Sequence, residues 1–87
     1  MEYAEFSALT NETVRGLLDR LPVKYHHGFE AALIGGELRM TVEALMKTLV
    51  ADHVPVTLAE RDNLGRMLAY LKEPPSGLDQ LNVTTAS

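Results

Sequence analysis

The 87-residue chain contains no cysteine and no tryptophan. Without thiols it can form no disulfide, no cysteine nucleophile and no thiolate zinc site. Cations are scarce as well: 8 Lys and Arg stand against 12 Asp and Glu, a net charge of −4. Docking on nucleic acid relies on Lys and Arg displacing counterions from phosphates, so an acidic chain with no basic cluster is a poor nucleic-acid binder. No apolar run approaches the roughly 20 residues that span a bilayer. The opening MEYAEFSALTNE has neither the basic start nor the apolar stretch of an export signal, so the expected address is the cytoplasm.

What is present is an ordinary globular composition, 46% hydrophobic and 23% charged. A chain of this length buries roughly 60% of its unfolded surface and supports one core. The expected organisation is one helical domain over 1–73 and a tail over 74–87. In that tail Leu78, Leu81 and Val83 are the only spaced apolar residues, leaving it free to fold back on the domain or stay loose.

Apolar periodicity predicts about four helices. Phe6, Leu9, Val14, Leu17, Leu18 and Leu21 form a first stripe with a break near Thr10-Asn11, so that Thr10 or Asn11 would cap a helix running to about Arg20. Pro22 ends it, because the residue before proline is pushed out of the helical region. Tyr25, Phe29, Ala32 and Leu33 suggest a short second helix closed by Gly35-Gly36. Leu38, Val42, Leu45, Met46, Leu49 and Val50 recur at i, i+4, i+7, i+8, i+11 and i+12, the clearest helical stripe in the chain. His53 falls in its last turn and Pro55 stops it. Thr57-Leu58-Ala59-Glu60 has the capping-box pattern, which starts a fourth helix at Leu58 with Leu64, Met67, Leu68 and Leu71 buried and Gly65 suited to close helix approach. Short connections favour antiparallel neighbours, and the predicted fold is an all-α compact bundle of about four helices.

Chemistry-bearing residues are sparse. His26 and His27 are adjacent, so their side chains diverge by about 100° on a helix and cannot share a metal as an i, i+4 pair does. One ring is expected near the Pro22 turn and the other in solvent. Gly35-Gly36-Glu37 lacks the preceding strand, the Lys-Ser/Thr and the third glycine of a phosphate loop. A helix-turn-helix reader is disfavoured, since helix four opens with Leu58-Ala59-Glu60-Arg61-Asp62 and would turn two acids toward phosphates. Met46 and Met67 fall in apolar stripes, whereas Met40 lies off them. The carboxylates Glu30, Glu37, Glu43, Asp52, Glu60, Asp62 and Glu73 mostly avoid the stripes, with Glu43 and Lys47 at i, i+4. They compose a solvated face suited to a basic partner. No catalytic residue, metal ligand or cofactor site is expected.

The segments LLDRLP (Leu17–Pro22), LIGGELRMTVEALMKTLV (Leu33–Val50) and VPVTLAERDNLGRMLAYL (Val54–Leu71) together resemble a MafI-type immunity protein. These are small helical antidotes encoded beside polymorphic or contact-dependent toxins of bacteria. The likeness is carried by the Gly36-Glu37 turn, Val42-Glu43-Ala44-Leu45, the Val54-Pro55-Val56-Thr57 hinge and Glu60. It implies a non-enzymatic inhibitor that binds one cognate toxin domain, such as a basic nuclease, with no nucleic-acid or membrane contact of its own. Interfaces centre on a few aromatic or Arg anchors ringed by polar groups. The expected partner-binding residues are therefore Glu37, Glu43, Asp62 and Tyr70 on helices three and four. A helical interaction or adaptor module, including a homodimer, is the alternative. An enzyme would require His26 or His53 beside a carboxylate in a pocket.

Overall fold

The computed structural model describes residues 1–84. Helix α1 spans Tyr3–Leu17 and passes into a 3₁₀ turn, Leu18–Arg20. A second 3₁₀ turn, Val23–Tyr25, leads into α2 at His26–Ile34, followed by α3 at Leu38–Ala51 and α4 at Leu58–Tyr70. A 3₁₀ segment, Pro75–Gln80, then crosses back over the bundle. Two short strands, β1 at Pro55–Val56 and β2 at Asn82–Val83, pair in parallel with Pro55 opposite Asn82 and Val56 opposite Val83. The all-α bundle of about four helices is the fold observed.

Helix α1 differs from expectation at its start. It begins at Tyr3 behind Glu2 and runs through Thr10-Asn11 without a break. Thr10 and Thr13 are buried beside Phe6, Val14 and Leu17, so threonines occupy positions in the stripe where an apolar residue would have made the period visible. The Asn11 amide donates to the Ser7 carbonyl at 2.9 Å instead of capping a helix.

Three helices end alike. Gly36 (φ +72°) donates to the Leu33 carbonyl at 3.1 Å while Glu37 donates to Ala32 at 3.0 Å, the paired bonds of a Schellman end. The same geometry closes α3 at His53 (φ +50°), with Val54 donating to Leu49 at 3.1 Å. It closes α4 at Lys72 (φ +57°), with Glu73 donating to Leu68 at 2.9 Å. His53 therefore lies just past the last turn of α3, in a left-handed conformation.

At the start of α4 both capping-box bonds are present, Glu60 N–H to Thr57 Oγ1 at 3.1 Å and Thr57 N–H to Glu60 Oε1 at 2.8 Å. The core joins Phe6, Val14 and Leu17 of α1, Phe29 and Leu33 of α2, the α3 stripe from Leu38 to Leu49, and Leu64, Met67 and Leu68 of α4. Val54, Val56 and Leu81 close it from the connections. Gly65 faces the crossing segment instead of a helix: a Cβ there would lie 3.3 Å from Leu78 Cδ1.

Phe6 stacks on Tyr70, and Arg20 reaches Glu60. The start of α1 thus lies beside the end of α4 and the end of α1 beside its start, so the two run antiparallel as one outer layer. Helices α2 and α3 form a hairpin, joined through the Gly36 turn.

Candidate functional site

Electrostatic surplus marks the surface more than any single group. Among the described residues three ion pairs form: Arg20 with Glu60, Arg39 with Glu73, and Arg61 with Asp79. Each takes one cation and one acid, so the whole net charge of −4 resides in groups outside them. Burial would raise the Glu60 carboxyl, but the Arg20 hydrogen bond, the Thr57 amide and the nearby guanidinium charge together hold it below its ordinary value. Arg20 is in turn held more firmly protonated, chiefly by its bond to Glu60.

The four residues singled out from sequence occupy different places. Glu37 is the exposed N-cap of α3; its carbonyl accepts from the Thr41 amide at 3.0 Å and the Thr41 hydroxyl at 2.7 Å. Glu43 is exposed one turn from both Arg39 and Lys47, and it borders a groove with Leu68, Glu73 and Gly77. Asp62 is exposed on α4. Tyr70 is half-buried, its ring stacked on Phe6 with centroids 4.3 Å apart and planes at 15°. It borders another groove, with Met1, Arg66 and Ala69. Two residues of helix turn a side chain by about 200°, so Leu68 and Tyr70 look to opposite flanks of α4. Glu43 and Tyr70 therefore do not share the single patch expected across helices three and four, and Tyr70 is an aromatic floor instead of a projecting anchor.

One concave surface lies between α2 and α3. A cavity of about 350 Å³ is lined by Tyr25, Phe29, Ala32, Met40, Ala44 and neighbouring residues, with Lys24 at its edge. Met40, in its lining, is 62% exposed, and Val23, next to Lys24 in the chain, is 81% exposed. The lining is mainly apolar.

A second surface lies on α1 and α4. Glu2, Glu5, Leu9, Glu12, Gly16 and Arg20 recur at spacings of three and four, one line along α1. Arg20, at its end, bonds Glu60, so this line borders α4. At its other end the Met1, Arg66, Ala69 and Tyr70 cleft has a volume of about 310 Å³. Tyr3, 58% exposed, is turned about 200° around α1 from Glu5 and so lies on the flank opposite the acidic line. Glu2, Tyr3, Glu5 and Glu12 are not legible from sequence as helix surface, because the apparent break at Thr10-Asn11 hides the first turns of α1. The signal that would have included them is the Phe6, Thr10, Thr13, Leu17 spacing with threonine counted as a core residue.

Histidines make local contacts. His26 Nε2 lies 3.0 Å from the Leu21 carbonyl, beside the Pro22 turn, while His27 is exposed. Among the described residues no group of three or more His, Asp or Glu could hold a metal ion, and no helix is long and apolar enough to cross a membrane. Compared with known protein families, curated proteins and solved structures, the chain has no significant match.

Proposed function

We propose that this chain is an immunity protein that binds and neutralises a cognate bacterial toxin domain, one with a basic surface such as a nuclease, and has no catalytic activity of its own. The observation that carries the reading is the net negative charge left outside the ion pairs, borne on a bundle whose helix ends are closed by capping and Schellman bonds. Acidic groups on a preorganised frame steer a basic partner electrostatically and bind it without an ordering cost. The MafI-type resemblance supplies the kind of partner. Its Gly36, Val54 to Thr57 and Glu60 signature corresponds to residues that close one helix and open another. A cytoplasmic address belongs to the same proposal, since such an antidote meets its toxin where the toxin acts.

Co-expression with the toxin domain encoded beside this gene should yield a one-to-one complex and restore growth of cells making that domain. Separate elution of the two proteins would overturn the reading. The apolar α2–α3 groove favours a second reading, a homodimer or adaptor module. Light scattering decides it: a dimer dispersed by Met40→Glu would support that reading.

A further inference from the structure

We infer that the groove between α2 and α3 binds an aliphatic carboxylate of medium chain length, with its carboxylate at Lys24 and its apolar chain running toward Met40.

The groove is polarised along its length. Helices α2 and α3 meet at the Gly36 turn, so the lining runs in opposite order along them, with Ala32 and Met40 nearest the turn, Gly28 and Ala44 farther along, and Lys24 and Thr48 at the far end. The turn end and the middle are thus apolar, and the far end carries an ammonium and a hydroxyl. From Met40 to Thr48 the helix rises about 12 Å. The volume of about 350 Å³ lies within the range of small-molecule sites, which pair an apolar lining with a few polar groups that fix orientation.

Charge selects the kind of ligand. Among the described residues Lys24 is the only charged group in the lining and belongs to none of the ion pairs. Its ammonium is held 5.1 Å from the centroid of the Tyr25 ring, at the groove's edge. Residues 20–29 contain no acid, in a chain whose net charge is −4. A carboxylate arriving there meets a positioned cation and no repelling neighbour on that segment. The groove between α3 and the crossing segment is also apolar, but its Lys47 has Glu43 one turn away.

Space is left for the apolar chain. Gly28 lies inside α2, where glycine weakens a helix, and a Cβ there would meet nothing within 4 Å. Packing within the molecule therefore does not call for glycine at this position. With Ala32 and Ala44 it lets a chain from outside approach the buried Phe29 ring.

The test titrates the full chain with sodium octanoate, and with octan-1-ol as the uncharged control, while amide shifts are followed by NMR. Octanoate should saturate with a Kd of about 1 mM or below and shift the amides of Gly28, Ala32 and Ala44. Lys24→Ala should weaken octanoate roughly three- to fivefold and leave octan-1-ol unchanged, a split that a merely structural lysine would not give. Gly28→Leu fills open space, so it should melt no lower than wild type and bind neither ligand. Octanoate that fails to saturate, shifts amides elsewhere or ignores either substitution would overturn the proposal. So would a dimer seen by light scattering that Gly28→Leu disperses and octanoate does not, since a second copy would then occupy the groove.

Discussion

Arg20 and Glu60 form a two-pronged bridge, Nη1 donating to Oε1 at 2.8 Å and Nη2 to Oε2 at 2.5 Å. Arg20 also donates to the carbonyls of Pro55 at 3.0 Å and Gly16 at 3.2 Å. Glu60 meanwhile accepts the Thr57 amide of its own capping box. One carboxylate thus starts α4 and ties it to the end of α1, while the guanidinium it holds bonds the strand between α3 and α4. Bidentate, charge-assisted bonds of this kind are stronger than neutral ones, and both partners here are partly shielded from water.

Acid should loosen this junction. The Glu60 carboxyl titrates below its ordinary value of 4.5 in the folded chain, so its stabilisation is complete above that pH and is lost as the pH falls through the folded value. Melting temperatures between pH 7 and pH 3 should fall below about pH 4.5 for wild type, and less steeply for Glu60→Gln. At neutral pH the same variant should cost about 1–3 kcal/mol, since it weakens a cap and a bridge together. Parallel curves for the two proteins would show that other carboxylates govern the acid limb.

The left-handed residues offer the opposite experiment. His53 and Lys72 have exposed side chains and φ of +50° and +57°, a conformation that costs a non-glycine residue about 1 kcal/mol. His53→Gly and Lys72→Gly should each stabilise by up to about 1 kcal/mol, raising Tm by roughly 4–8 °C in a domain of this size. Asn82 bonds the backbone carbonyl of His53, so that contact survives the change. Gly36→Ala should destabilise by a similar amount.

The contrast between those positions shows what a sequence can disclose. Gly36 advertised its turn by residue type, Pro22 its break, and Thr57 with Glu60 its cap, because each signal is local. The α3 stripe was legible for the same reason. The Arg20 bridge and the Phe6–Tyr70 stack were not, since each joins residues far apart in the chain. Tyr70 read as an exposed aromatic because nothing near it announces Phe6. Glu2, Glu5 and Glu12 went unassigned because two buried threonines disguised the stripe of α1 as a break. The two-residue strands carry too short a pattern to register at all.

The segment after α4 should be a structural strap, and its contacts can be ranked. Leu81 is buried, Leu78 lies against Gly65, and Thr84 N–H donates to the Val56 carbonyl at 2.8 Å. Leu81→Ala should cost about 2–3 kcal/mol by denaturant unfolding. Asp79 is 87% exposed and meets Arg61 at 3.4 Å, so Asp79→Ala should change stability by less than about 0.5 kcal/mol. Equal effects from the two would mean that the strap is held by charge and not by packing.

Buried threonines provide a further test, because three of them differ in hydrogen bonding. Thr10 and Thr13 bury their hydroxyls, and among the described residues neither Oγ1 has a partner. Thr41 is equally buried, but its hydroxyl donates to the Glu37 carbonyl at 2.7 Å, closing the first turn of α3. A buried hydroxyl without a partner forfeits its hydration and gains nothing in return, whereas a methyl group of the same shape has nothing to lose. Thr10→Val should therefore stabilise by about 1 kcal/mol, while Thr41→Val should destabilise by about 0.5–1.5 kcal/mol. Urea titrations with unchanged m-values would place both effects in the folded state. Loss of stability at Thr10 comparable to that at Thr41 would mean that its hydroxyl is satisfied, by a water held inside α1 and α4 or by the carbonyl one turn back.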